Sequence, residues 1–218
     1  MFGKSDDINT AGTEEQLRRL DDARFTSCLD RTLRHEGGYS HHPSDKGGRT
    51  WRGIAEKRAG RGWVGWERLA EIVTQNTDDW QEVAFADEEL VGLVRDFYRE
   101  AYWEPLRGKD LAALDLDLAG CLFDLGILFG RGTIVMELQR TINALNTHGR
   151  YDDLKVDGAV GPRTLASLKR CGRYDDIRLL VVSDRLTAAR RRAAADVDQR
   201  DFVNGWIIRL RGWIPVEA

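Results

Sequence analysis

No stretch of this chain is apolar for long enough to cross a membrane as a helix. The greasiest segment, Leu111 to Val135, is interrupted by Asp115, Asp117, Asp124 and Arg131, whereas a spanning helix needs about 18 or more apolar residues. The opening residues, Met1-Phe2-Gly3-Lys4-Ser5-Asp6-Asp7, contain no apolar core of the kind that a cleavable export signal carries. Cysteine is scarce: Cys28, Cys121 and Cys171 lie far apart. An odd number with no metal-type spacing excludes a disulfide framework and a zinc motif, and points to buried thiols in a protein made in a reducing cytoplasm. Alternating β-runs of any length are missing, and so are repeats. Charge of one sign is missing too: the formal net is -3, so nothing overall demands a nucleic-acid partner. The distribution is uneven, with 14 Lys/Arg against 10 Asp/Glu from Arg150 onward and an acidic excess before it. A basic C-terminal part favours a polyanionic surface such as a cell wall, though only weakly.

What is present is ordinary for a soluble globular protein of 218 residues, with 42% hydrophobic and 32% charged side chains, enough to bury one core. Residues 1–12 are polar and read as a tail. Thr13 with Gln16 forms a capping box and Asp21-Asp22 offers a second helix start, after which Phe25, Cys28, Leu29 and Leu33 share one helical face. The pattern runs to Glu36, and Gly37-Gly38 supplies a stop through the left-handed cap conformation. Residues 39–53 read as a loop or small β-hairpin. Further helices are expected from Trp66 to Val73, from Asp87 as N-cap, from Leu116 to Phe129, along Ile134 to Leu145, from Pro162, and in two closing segments around Ile177–Ala188 and Phe202–Ile207. The expected fold is mainly α, with a small hairpin or irregular region after the first helix. The expected organisation is a leading segment 1–24, a catalytic half 25–115 and a helical half 116–218, packed into one unit.

The stretch from Arg34 to Thr50 concentrates the chemistry. It places Glu36 at a helix end, then Asp45 and Thr50 among glycine pairs and Pro43. A glycosidic bond is cleaved by a proton donor for the leaving oxygen and a second carboxylate that assists water or attacks directly. An apolar helix face and the negative end of a helix dipole favour the protonated form of a carboxyl placed there, as Glu36 is. Asp45, beside Lys46 and glycines, sits in a more solvated and positive setting suited to a carboxylate. Asp45 and Thr50 equally fit turn residues that bond the local backbone. His35, His41, His42 and Asp45 match no ligand spacing, so no metal or cofactor is expected. Asp124 reads as a buried structural acceptor, and Arg190-Arg191-Arg192 as a solvated helix face.

The segments Glu36-Gly37-Gly38-Tyr39-Ser40, His42-Pro43-Ser44-Asp45, Gly47-Gly48, Thr50 and Gly53-Ile54 together resemble the signature of glycoside hydrolase family 108. The resemblance continues through Tyr102-Trp103 and Leu122-Phe123-Asp124. Leu138-Gln139, Asp157-Gly158, Gly161-Pro162 with Thr164, and Gly205-Trp206 with Arg209 look like the family's C-terminal peptidoglycan-binding-type region. It implies a lysozyme-like fold, N-acetylmuramidase activity of the phage-endolysin or secretion-associated kind, and Glu36 as the catalytic glutamate. The spacing from Glu36 to Asp45 is also similar to phage lysozymes, in which an acid, an Asp and a Thr act together. Trp51-Arg52 and Leu128 depart from the family pattern and bear on the substrate groove. The expected catalytic residues are therefore Glu36, Asp45 and Thr50, with Tyr39, Trp51 and Trp103 binding substrate. Peptidoglycan glycan strands are the expected partner, met by a monomer that a holin, a virion or a secretion system delivers to the wall. A lytic transglycosylase and a non-catalytic wall-binding or particle protein are the competing readings.

Overall fold

The computed structural model describes residues 6–41, 48–58, 60–76 and 78–215. Its centre is α6 (Leu116–Phe129), in which every residue from Leu118 to Gly126 is buried. Asp115 caps this helix by accepting from the Leu118 amide at 2.7 Å. Around α6 pack α1 (Asp6–Leu33), α5 (Gly108–Leu114), α7 (Arg131–Ala144) and α9 (Tyr174–Ala195). α8 (Pro162–Cys171) leans on α7, and α10 (Arg200–Arg211) folds back along α9. A second group, α2 (Gly65–Gln75), α3 (Trp80–Ala86) and α4 (Glu88–Tyr98), sits beside a three-stranded antiparallel sheet of two-residue strands. The strands are β1 (Tyr39–Ser40), β2 (Thr50–Trp51) and β3 (Ile54–Ala55). The fold is mainly α and lysozyme-like.

The core follows from side-chain periodicity. Phe25 on α1, Phe123 on α6 and Trp103 meet as an aromatic cluster with centroids 5.5–6.0 Å apart. Such tilted and edge-on contacts add to the area they bury. Trp103 closes a π-helical turn, Arg99–Trp103, that continues α4. Arg99 pins this turn to α1 through Asp21 at 3.2 Å and Asp22 at 2.5 Å. Gly120 lets α6 approach the C-terminal segment closely, since a Cβ there would lie 2.8 Å from the Trp213 ring. All three cysteines are buried and unpaired, and burial pushes the Cys28 thiol up to about 12.

Several expectations are corrected. Among the described residues helix α1 already includes Asp6, well before Thr13 or Asp21, so part of the expected tail is helical. It ends at Leu33 rather than on Glu36, and tightened turn bonds (His35 N–H to Thr32 O, 3.0 Å; Glu36 N–H to Leu33 O, 3.3 Å) carry the chain onward. Neither Gly37 nor Gly38 adopts the left-handed conformation. Gly38 sits in a tight place instead, where a Cβ would stand 3.1 Å from the Phe85 ring. Helices α3 and α5 are too short to leave a clear period and were not anticipated. On α9 the buried face is formed by Ile177, Val181, Val182 and Ala189.

Asp87 caps α4 as its sequence position suggests, accepting from the Leu90 amide at 2.8 Å. It also receives Arg68, whose hydrogen bonds hold the Asp87 carboxyl below its ordinary range against the opposing effect of partial burial. An Asp87→Ala variant is expected to lose about 1–2 kcal/mol of stability near neutral pH. A depressed carboxylate stabilises the fold above the pKa of the unfolded chain, and this contribution disappears as acid protonates the folded form. The deficit measured by chemical unfolding should therefore shrink on acidification below about pH 4.

Candidate active site

Glu36 leaves the end of α1 on a turn and points back across the molecule. Its side chain is 18% exposed and its Oε1 accepts from Arg209 Nη1 at 2.7 Å. Arg209, on α10, is itself buried. Its Nε reaches both carboxylate oxygens of Asp124 at 3.0 Å and its Nη2 reaches Oδ1 at 2.8 Å. Asp124 is fully buried in α6 and also accepts from Trp213 Nε1 at 2.9 Å. Arginine suits this position because its planar fork can bind one carboxylate with two edges and still present a third N–H to another. Burial alone would lower the Arg209 pKa; the bond and charge of Asp124, joined by Glu36, outweigh it and the net direction is up. Arg209 is thus a fixed cation between two carboxylates.

The other wall of Glu36 is made by the small sheet. β2 and β3 pair through Trp51↔Ile54 and turn on Arg52-Gly53, both with positive φ (45° and 82°). Two left-handed residues make the hairpin turn whose twist matches the strands. Gly53 is required twice over: for its φ, and because a Cβ there would lie 2.6 Å from Glu36 Oε2 and 2.6 Å from the Tyr98 hydroxyl. Tyr98 is buried in α4 and donates to the Arg52 carbonyl at 2.7 Å, locking the turn. Burial, and then the charge of Glu36, push the phenols of Tyr98 and Tyr102 up. Both rings therefore border the acid as neutral groups.

The expected site residues separate here. Thr50 is half-buried on β2, paired in register with Ser40 and Ala55. Tyr39, on β1, is half-buried and meets Trp80 edge-on at 5.2 Å and His41 at 6.5 Å. Asp45 lies outside the described residues, as does His42. Trp51 and Trp103 are corrected: they are 0% and 1% exposed, and neither can stack on a sugar. Trp51 backs the sheet against Phe85 (4.9 Å) and Trp80 (6.3 Å). Trp103 belongs to the core on α1, with Nε1 donating to Asp21. Flat rings bury the most area, and the core took these two. Arg209 and Tyr98 were missed as neighbours of Glu36, and Trp213 as a partner of Asp124, since no local pattern links residues so far apart in the chain. Asp124 is the structural acceptor it was expected to be.

Gln139 and the segment around Asp157, which carried the C-terminal part of the resemblance, form a scaffold. The buried amide accepts from the Asp157 and Gly158 N–H groups at 3.0 Å each and donates to Asp157 Oδ1 and the Ala159 carbonyl. One side chain thereby fixes a turn that would otherwise leave buried polar groups unpaired.

An α-rich body with a small sheet facing a carboxyl at the end of its first helix has the architecture of a lysozyme-like glycoside hydrolase. Residues 29–130 match the family "Glycosyl hydrolase 108" and residues 134–214 match the "Predicted Peptidoglycan domain". The chain belongs to glycoside hydrolase family 108 and carries that family's C-terminal peptidoglycan-binding-type region. Among solved structures it is similar to SagA of Brucella abortus, at 23% identity and a TM-score of 0.58, over 88% of this chain and 92% of that one; the likeness concerns the fold. No curated protein matches the chain. The protein is accordingly a glycoside hydrolase directed at peptidoglycan.

Two variants probe the geometry. Arg209→Met leaves Asp124 as a buried charge without its cation, and should cost about 3–5 kcal/mol, with Arg209→Lys intermediate in thermal unfolding. Gly53→Ala should cost about 1–2 kcal/mol in backbone strain but lower wall hydrolysis by about 10²-fold, because the carboxyl must move. Turbidity clearing of purified walls, set beside the melting temperature, separates the two effects.

Proposed function

We propose that the chain is an N-acetylmuramidase that hydrolyses the β-1,4 bond between N-acetylmuramic acid and N-acetylglucosamine, with Glu36 as general acid. The observation that carries this reading is the placement of Glu36: a partly desolvated carboxyl at a helix end, held by Arg209 on one oxygen and left with the other above the Gly53 turn. In the protonated acid, Oε1 still accepts from Arg209 while Oε2 carries the proton for the leaving glycosidic oxygen. When that proton departs, the charge appearing on the carboxylate meets a guanidinium already in place, with no reorganisation to pay for. Asp45 is assigned to orienting or deprotonating the attacking water, assisted by Thr50 on β2, and Tyr39 to the substrate groove. An inverting outcome accompanies a carboxyl separation of about 6.5–9.5 Å, which leaves room for water. The enzyme is taken to act at the cell wall as a monomer, reached through a holin, a virion or a secretion apparatus.

Glu36→Gln keeps the shape and a hydrogen-bond acceptor for Arg209 but removes the proton donor. Its rate on purified peptidoglycan should fall by about 10²-fold or more at unchanged stability. Near-wild-type clearing by that variant rejects the assignment. Mass spectrometry of the wild-type digest should show new reducing ends at muramic acid. 1,6-Anhydromuramoyl ends would make the enzyme a lytic transglycosylase, and wall binding without new ends a non-catalytic binder.

A further inference from the structure

Beside the acid lies a cavity of about 340 Å³ between the end of α1 and one face of α10. It adjoins the site: His35 in its wall precedes Glu36 in the chain, and Arg209, which holds Glu36, forms part of the same wall. Its apolar lining comes from Leu128 at the end of α6 and from Phe202, Trp206 and Ile208. Phe202 is 57% and Ile208 63% exposed. Large apolar side chains grouped at the surface forgo about 25 cal/mol per Å² of burial, and such a group beside a catalytic acid points to a ligand that covers it.

The lining also indicates which part of the substrate fits. A pyranose ring is best received by an open aromatic face. Here the Phe202 and Trp206 rings stack on one another, 6.3 Å apart at 24°, and the Arg192 guanidinium lies over Trp206 at 5.6 Å. The wall thus offers the branched aliphatic chains of Leu128 and Ile208 beside rings that have one face already taken, a lining suited to methyl groups. Asp201 and His35, both exposed, supply polar groups at its edge. Peptidoglycan differs from an unsubstituted amino-sugar polymer in one respect that matches this lining. Each muramic acid carries a lactyl ether that bears a methyl group and whose carboxyl is amide-linked to a short peptide presenting backbone N–H groups.

We propose that this cavity holds the lactyl-peptide arm of the muramic acid residue next to the scissile bond, so that the enzyme selects glycan strands that still bear their peptides. The proposal rests on the muramidase reading and goes beyond it by giving α10 a role in specificity. Binding energy from a part of the substrate that does not react is used to place the reacting bond against Glu36.

The experiment compares kcat/KM on two substrates: intact peptidoglycan fragments, and the same fragments stripped of peptide by an amidase. Wild-type enzyme is expected to favour the peptide-bearing fragments by about 10-fold or more, the discrimination that one or two apolar contacts provide. Phe202→Ala and Leu128→Gln should each reduce that ratio several-fold, mainly through KM on the peptide-bearing fragments, with circular dichroism confirming the fold. Equal losses on both substrates would assign the cavity to the sugar or to the lactyl ether that the amidase leaves behind, and overturn the proposal. An unchanged ratio in both variants, or no wild-type preference, would overturn it as well. If wild-type enzyme released no reducing ends from either substrate, the muramidase reading itself would fall, a pattern unlike the other three.

Discussion

Arg209 sits between Asp124 and Glu36, and much of the molecule is arranged around keeping it there. A guanidinium taken out of water costs several kcal/mol unless charges and hydrogen bonds replace its hydration. Asp124 supplies most of that replacement from inside α6, and Trp213 satisfies an oxygen that Arg209 shares with it. Only then is the remaining edge of the fork free to hold a carboxylate at the surface of the site. The pair joins residues 173 positions apart. It also crosses the boundary between the two family matches, which end at 130 and begin again at 134. The region named for peptidoglycan thereby contributes to the setting of the acid in the hydrolase region. Folding of α10 against α9 and α6 is a condition for the acid's geometry.

The small sheet does the complementary work with few residues. Its strands are two residues long, too short to be stable alone. They are held by Trp51, Ile54 and the Tyr98 hydroxyl bond to the Arg52 carbonyl. That anchoring lets a left-handed turn press its backbone against the carboxyl without a side chain in between. A non-glycine residue at positive φ, Arg52, is tolerated beside it, its guanidinium lying 5.3 Å from the Phe85 ring. The departure of Trp51-Arg52 from the family pattern therefore falls on the back and the turn of the sheet, while the departure at Leu128 falls in the cavity beside α10.

Residue chemistry and spacing made a good deal legible beforehand. The helix Leu116–Phe129 was readable to its ends, because nine successive buried residues admit few alternatives. The Asp87 cap, Pro162 at the first turn of α8 and the buried thiols were equally local facts. Less legible were elements whose formation depends on what they touch. α1 continues through Leu17 and Leu20, which stay 47% and 45% exposed, so no apolar face marked its beginning. Gly37 and Gly38 looked like a helix stop by conformation, but neither adopts positive φ, and Gly38 instead lies close to the Phe85 ring.

The same division runs through the site. The mainly α class and the turn that follows the first helix could be read from the chain alone, since helix ends and turns are written in neighbouring residues. Which tryptophans would meet solvent could not: Trp51 and Trp103 carry the same side chain as any groove-lining indole, and packing partners far along the chain decided that they are core. Nor could the acid's counter-ion be read in advance. Arg34 is the nearest cation along the chain, yet Arg209 holds the carboxyl. A charge pair depends on distance in space and on the solvent excluded around it, and both arise only when α1, α6 and α10 are brought together.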